Sequence, residues 1–577
     1  MANFEKEYER WLLSDALSAE EKRELLDIAN DKEALALRFS APMSFGTAGL
    51  RSTMNMGIGC MNRFTVAQTT RGIAALVLRE GGALRGVAIG YDSRNNSRSF
   101  AVVCASVLAG AGIRSFIFDD IRPTPELSFA VRQLGALAGI NITASHNPKE
   151  YNGYKAYWED GAQLAPNHAA VVAEESARFD VLDTSGIMDF DEGVKCGLIT
   201  VLGADFDNEY LDEVCKTAIN PSLISELGDE LKIVYTPLHG AGRVLVPRAL
   251  ERVGLKNIYT VEEQMIADGN FPTVKKPNPE YREVFILGIE LADKVGADLV
   301  IATDPDADRV GVVTREENGD FKTISGNQMG ALLLDYAIRE RRALGKLPPY
   351  AFCVKSIVST DMAYKIAEEN GVKLHDVLTG FKFIGEEIKK YEAMGLEDGF
   401  VLGFEESYGY LLGTYARDKD AVEATMLIVE LAAYYKKRGM TLSAALEELY
   451  LRYGFYGECV TDIYMEGASG IARRKAVMQG MRNNPPKAIA GTPVQTVSDY
   501  MEGTVIALKT GVLSSTGQPK SDVLYYTLET KDKVIIRPSG TEPKIKIYVL
   551  AHANSHEELD KRAKDYSADI VSMLDAF

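Results

Sequence analysis

In "ADLVIATDPDADRVGVV" an apolar run ends in three aspartates at alternate positions, Asp304, Asp306 and Asp308. Alternate residues of an extended segment share a face, so the three carboxylates can converge on one point. Left alone they would repel one another strongly, and a cation among them removes that penalty. Oxygen-only ligands select Mg²⁺ or Ca²⁺. An EF-hand loop also begins with alternating aspartates, but counted from Asp304 its required glycine is Arg309 and its final glutamate is Arg315. Three protein ligands leave a position open, as a catalytic metal requires. A solvated acidic turn is the plainer reading.

Three other loops carry groups suited to chemistry. "TASHNP", Thr143–Pro148, follows the apolar run "ALAGINIT", so Ser145 is expected just past the C-terminal end of a buried strand. Open α/β sheets place ligands there, and Ser145 is a candidate nucleophile. The bland alternative is a polar turn begun by Asn147 and Pro148. A hydrolase triad fits poorly: there is no G-x-S-x-G elbow, and adjacent side chains on an extended chain point apart, so His146 is not expected to act as the base for Ser145. In "VLGFEESYG", Glu405 and Ser407 share one side if the segment is extended, a pairing suited to vicinal sugar hydroxyls. In "DKVIIRPSGTEPKIKIYV", Arg537, Ser539, Gly540 and Thr541 offer a guanidinium fork, two hydroxyls and a glycine for close approach, the makings of a phosphate cradle.

These loops need elements to hold them. Three segments share one outline, starting at Gly86, Leu231 and Tyr350: a β-rich run, a loop, an amphipathic helix, a glycine that can end it, and a second short run. Such alternation predicts α/β domains. Beyond about residue 450 short strands with turn signals predict an α+β domain with an antiparallel sheet. The expected division is 1–205, 206–322, 323–450 and 451–577, three related mixed α/β domains and an α+β domain around a central cleft. With 577 residues at roughly 150 per domain, four domains are reasonable. The net charge of −18 makes nucleic acid or an anionic membrane surface a poor partner. Six scattered cysteines without a C-x-x-C pair fit a reducing compartment, and the charged N-terminus lacks a signal-peptide apolar region, so a cytoplasmic protein is expected. Ser18 with Glu21 predicts a capping box.

The motifs "TASHNP", "DPDADR", "GFEES" and "RPSGTEPK", in this order, resemble those of the α-D-phosphohexomutase family. "SFGTAGLR", "YNGYKAYW" and "LTGFKFIG" extend the resemblance over most of the chain from Ser44 to about Tyr548. The resemblance implies that Ser145 is carried as a phosphoserine whose phosphate completes a Mg²⁺ site with Asp304, Asp306 and Asp308. It implies sugar recognition by Glu405 and Ser407, and a distal phosphate held by Arg537, Ser539, Gly540 and Thr541. Arg51, Lys155, Arg309 and Lys382 fall where the family places basic groups, and Thr379, Gly380 and Lys419 join the implied substrate-binding set. Glucose 1,6-bisphosphate, or its analogue, is the implied intermediate and primer. Lys155 and His146 are both candidates for the general acid/base.

Phosphoryl transfer depends mainly on positioning and charge stabilisation, which this set supplies. The details look most like a longer branch that includes bacterial phosphoglucomutases, phosphopentomutases and a sugar-bisphosphate synthase. Glucose phosphate is the expected substrate, with mannose and ribose phosphates as alternatives, because Gly403-Phe404 precedes Glu405 where many glucose-type members read Cys-Gly. A sugar phosphatase and a non-catalytic sugar-phosphate sensor are the rivals from other classes. The sequence leaves the oligomeric state open.

Overall fold

The computed structural model describes residues 3–577 other than Ser44, Thr47, Ala48, Glu466, Thr541 and Glu542. The three repeated outlines fold as their hydrophobic patterns require. Val87–Tyr91, Ser97–Gly110 and Ser115–Phe118 form the first; Lys232–Thr236, Gly242–Arg252 and Asn257–Thr260 the second; Phe352–Ser356, Met362–Glu369 and Lys373–Val377 the third. Past each helix a glycine (Gly112, Gly254, Gly371) takes φ of +72°, +92° and +61°, the left-handed conformation that turns the chain back towards its sheet. The paired strands are parallel in all three, which a helical crossover permits.

The chain gathers into two compact units, Met1–Ile324 with Tyr408–Gly439, and Ser325–Ser407 with Met440–Phe577. The first unit holds two mixed sheets. One runs Leu50–Thr53, Tyr151–Trp158, Ala138–Ile142, Val87–Tyr91, Ser115–Phe118, Ile199–Leu202; its first two strands are antiparallel additions to a parallel core. Ile89, Ile140, Ile142 and Tyr154 are buried in its core. Gly153 lets its strand pass close to its neighbours: a Cβ there would lie 2.5 Å from Thr143 O and 2.8 Å from Leu50 O. The other sheet runs Phe321–Ile324, Val310–Arg315, Leu299–Thr303, Lys232–Thr236, Asn257–Thr260. Helix Ala421–Lys437 packs on Gly242–Arg252. The three N-terminal helices bury Trp11, Leu25 and Phe39 against Phe64, and the Ser18–Glu21 capping box is present.

In the second unit Phe352–Ser356 lies between Lys373–Val377 and Phe400–Glu405, all parallel. The tail forms an antiparallel sheet whose core includes Ile536, Ile547 and Val549. Helix Gly467–Asn483 was not anticipated, because its "GASG" opening reads as a loop. Burial of Val477, Met478 and Met481 holds it on the sheet. Among the described residues no helix is long and apolar enough to cross a membrane.

Candidate functional site

Ser145 sits on the connection between Ala138–Ile142 and Tyr151–Trp158. Thr143 Oγ1 accepts the Ser145 N–H at 2.8 Å and donates to Asp92 Oδ2 at 2.6 Å. Arg94 is buried beneath the turn, donating to the carbonyls of Ser145, Asn147, Pro148 and Tyr151. One guanidinium thus satisfies four carbonyls, and the turn has little freedom left. Sequence reasoning missed Arg94 and Asp92; their signal was "YDSR" directly after a buried strand.

The loop is not extended at the serine. Ser145 has φ +51°, and its Oγ lies 3.1 Å from His146 Nδ1, correcting the expectation that the two side chains point apart. Oγ also donates to Asp304 Oδ2 at 2.7 Å. Burial, followed by the Arg309 and Arg51 charges, holds His146 well below the usual histidine range.

The aspartate loop is the tight connection between antiparallel strands Leu299–Thr303 and Val310–Arg315, with Val310 opposite Thr303 and Ala307 at φ +48°. One oxygen from each of Asp304, Asp306 and Asp308 lies within 4.8 Å of the others, and all three residues are buried. The carboxylates divide their oxygens between two tasks. Asp304 Oδ1 accepts the N–H groups of Asp308 and Arg309. Asp306 Oδ2 accepts from Lys155 at 2.8 Å and Thr124 Oγ1 at 2.8 Å. Asp308 Oδ2 faces Lys155 at 3.2 Å and Lys419 at 2.9 Å. Asp306 Oδ1 and Asp308 Oδ1 are buried without a hydrogen-bond partner. Asp308 Oδ1 has the Arg309 guanidinium 3.9 Å away. Three converging buried carboxylates with two oxygens left without a hydrogen bond fit a hard divalent cation, and the chain's donors hold other oxygens in place.

The electrostatics agree. Burial and the neighbouring Asp306 and Asp308 raise Asp304 well above the usual carboxylate range. Burial would raise Asp306 too, but Lys155 and then Lys419 outweigh it and hold that group low. Lys155 is raised, because Asp306 and Asp308 outweigh the burial that would lower it. Lys419, expected among substrate-binding groups, lies against Asp308, while Asp418 accepts from Tyr157 at 2.9 Å and Gln163 at 3.2 Å. Arg51 donates to Asn147 Oδ1 at 2.9 Å, and Arg309 pairs with Glu280 at 2.7 Å. Thr124 and Asp418 carry no recognisable motif and were not foreseen.

The remaining candidates belong to the second unit. Glu405 ends its strand, and its Oε1 accepts the N–H of Gly380 at 2.7 Å. Gly380, at φ +116°, opens helix Phe381–Glu392, so the glycine serves a turn that other residues would strain. Ser407 lies in the turn after Glu405 rather than on an extended strand, so alternation does not govern the pair. Thr379 and Lys382 are half-buried; burial lowers the Lys382 pKa, and its ammonium lies 4.9 Å from the Phe383 ring centroid. Arg537 is half-buried near the end of Lys533–Pro538, Ser539 donates its N–H to Lys544 O at 2.9 Å, and Gly540 is exposed. Thr541 lies outside the described residues.

Comparison with known proteins matches residues 42–180, 208–319 and 325–453 to the α/β/α domains I, II and III of phosphoglucomutase/phosphomannomutase. A phosphoglucomutase of Staphylococcus aureus is 37% identical over 512 residues, 89% of this chain and 90% of that protein. Among solved structures, a putative phosphomannomutase from Thermus thermophilus superposes with a TM-score of 0.68 at 23% identity, over 93% of this chain and 99% of that one. The open form of pp63/parafusin, a phosphoglucomutase from Paramecium, gives 0.63 at 16% identity, over 93% and 94%. At those identities the two structures speak to the fold.

Proposed function

Because the chain belongs to the phosphoglucomutase/phosphomannomutase family, and is therefore a phosphohexomutase, we propose that it interconverts α-D-glucose 1-phosphate and glucose 6-phosphate with Ser145 as the phosphoryl carrier. The observation that carries this reading is the 2.7 Å contact between Ser145 Oγ and Asp304 within the buried aspartate trio. The relatives' phosphoglucomutase activity supports glucose as the sugar, with mannose and pentose phosphates as the alternatives.

In the forward direction the Oγ–P bond of phospho-Ser145 breaks and the sugar C6 oxygen takes the phosphoryl group, releasing its proton. The product is glucose 1,6-bisphosphate, which also primes unphosphorylated enzyme. Turned end for end, the bisphosphate returns its C1 phosphoryl group to Ser145, the C1 oxygen regains a proton, and glucose 6-phosphate leaves. Asp304, Asp306 and Asp308 would hold Mg²⁺, which neutralises charge on the phosphoryl oxygens. Arg51 and Arg309 add positive charge around Ser145. Of the two acid/base candidates, His146 has its Nδ1 within reach of Oγ, whereas the Lys155 ammonium is committed to Asp306 and Asp308. Glu405 and Ser407 recognise sugar hydroxyls, Thr379, Gly380, Lys382 and Lys419 belong to the substrate-binding set, and Arg537, Ser539, Gly540 and Thr541 hold the idle phosphate. The work divides among four domains, 1–205, 206–322, 323–450 and 451–577. Six free cysteines support a cytoplasmic setting.

Intact mass spectrometry tests the carrier. Purified protein should bear one phosphoryl group that is lost in Ser145→Ala together with turnover; wild-type isomerisation by that variant refutes the reading. Comparing kcat/KM for glucose, mannose and ribose 1-phosphates tests the sugar.

A further inference from the structure

The aspartate loop has two faces. Even positions 304, 306 and 308 carry the carboxylates; odd positions meet the segment 235–242. Thr303 Oγ1 lies 2.9 Å from the Tyr235 hydroxyl, and Pro305 O accepts the Ala241 N–H at 2.8 Å. A Cβ on Gly240 would fall 2.4 Å from Pro305 Cα and 2.7 Å from its oxygen. One on Gly242 would fall 2.4 Å from the Tyr235 hydroxyl, 2.8 Å from Thr303 Oγ1 and 3.4 Å from Ala307 Cβ. The loop that carries the carboxylates is therefore laid directly on a second backbone, with no room for a side chain between them.

That second backbone is held in an unfavourable shape. Leu238 and His239 have φ of +47° and +65°, two consecutive left-handed residues with Cβ atoms, and both are buried. Such strain persists only where surrounding contacts over-determine it. Here a chain of hydrogen bonds does so. His239 N–H donates to Gln264 O at 2.9 Å. Ile266 O only accepts, so His239 Nδ1 donates across their 2.9 Å contact, and Nε2 forms a hydrogen bond with the Thr273 hydroxyl at 2.9 Å. Gln264 Nε2 donates to Thr273 Oγ1 at 2.9 Å, and Gln264 Oε1 accepts from Thr236 at 2.6 Å. Thr236 Oγ1 in turn accepts the Leu238 N–H at 3.1 Å. Both ring nitrogens of His239 are thereby engaged within a network that leads back to the strained turn.

We propose that His239 is a positioning residue for the cation site: with Thr273 and Gln264 it locks a left-handed turn that presses Gly240 and Ala241 against Pro305 and so sets the spacing of Asp304, Asp306 and Asp308. His239 touches no substrate in this scheme and acts through the backbone. The inference rests on the reading of the aspartate trio as a divalent-cation site. It extends that reading to residues some 65 positions upstream, since Pro305 and Gly240 meet only in the fold.

The test is Mn²⁺ titration of metal-stripped full-length protein, followed by the electron paramagnetic resonance signal of free Mn²⁺, with thermal unfolding of the metal-free protein measured in parallel. Thr273→Val removes the hydroxyl that serves both His239 and Gln264, and Gly240→Ala drives a methyl group into Pro305. Each should weaken Mn²⁺ binding by about tenfold or more, the usual range for outer-shell supports of a metal site. Thr273→Ser, which keeps the hydroxyl, should restore wild-type affinity. If Thr273→Val lowers the unfolding temperature but binds Mn²⁺ within about twofold of wild type, the network is only structural and the proposal falls. A wild-type protein that takes up no Mn²⁺ would overturn the cation site itself, a different result from variants that bind as wild type does. If Gly240→Ala does not fold, the Thr273 pair decides alone.

Discussion

Replacing Lys155 with methionine separates two roles that the site combines in one ammonium group. Lys155 Nζ lies 2.8 Å from Asp306 and 3.2 Å from Asp308, and it is almost wholly buried. Removing one partner of a buried ion pair typically costs about 3–5 kcal/mol, because the other charge is left uncompensated. The metal-free Lys155→Met protein should therefore be less stable than wild type by about that amount. Cation binding should move the other way. With one fewer positive charge beside the trio, Mg²⁺ is expected to bind about tenfold to a hundredfold tighter, a difference of about 1.4–2.8 kcal/mol. Since a ligand stabilises by RT ln(1 + [L]/Kd), excess Mg²⁺ should then narrow the stability deficit by a similar amount. Urea unfolding with and without Mg²⁺, combined with calorimetric titration of the metal, reads both effects. Turnover should fall in the same variant. If Lys155→Met binds Mg²⁺ more weakly, or shows the same deficit at zero and saturating metal, Lys155 does not balance the aspartates and the electrostatic account is wrong.

Two further outcomes are expected. Arg537→Ala should raise KM and lower kcat, reducing kcat/KM by about tenfold to a hundredfold for the loss of one charge-assisted contact; unchanged steady-state kinetics would remove Arg537 from the phosphate site. Burial, with the nearby Asp420 charge, pushes the Glu423 carboxyl up to about 8 from 4.5, so between those values the native state keeps a proton that the unfolded chain releases. Stability should accordingly fall as pH rises through that window, by at most about 1.4 kcal/mol per pH unit, and level off above it. Glu423→Gln keeps an acceptor for the Leu412 N–H, which Glu423 Oε2 now accepts at 2.8 Å, and should flatten the profile between about pH 5 and 8. An equal slope in variant and wild type, measured by chemical denaturation at several pH values, would assign that dependence elsewhere.

The aspartate trio was legible as three carboxylates within five residues, and the structure does bring them together, but on a tight turn with Ala307 at φ +48° and not on the extended segment that the alternation argument assumed. The three strand–helix–strand outlines were legible because periodicity, a terminating glycine and strand propensity act within some thirty residues. The Ser145–His146 pair was misread, since a left-handed serine in a buried turn has no sequence signature. The condition set for Glu405 and Ser407, an extended segment, is not met, because the strand ends at Glu405. Arg94, Thr124 and Asp418 stayed hidden because each is an ordinary polar residue until the fold supplies its partner.

Sequence alone therefore determined which chemical groups are present, which strongly periodic segments become helix or strand, and that three carboxylates close together in the chain could share one site. Tertiary structure decided which of those groups share a charge. Lys155 reaches Asp306 across 151 residues, and Ser145 reaches Asp304 across 159. Local propensity says nothing about such pairs, because they depend on strand order, register and a few strained dihedrals. Close contact in a buried, weakly screening interior then gives each pair its energy.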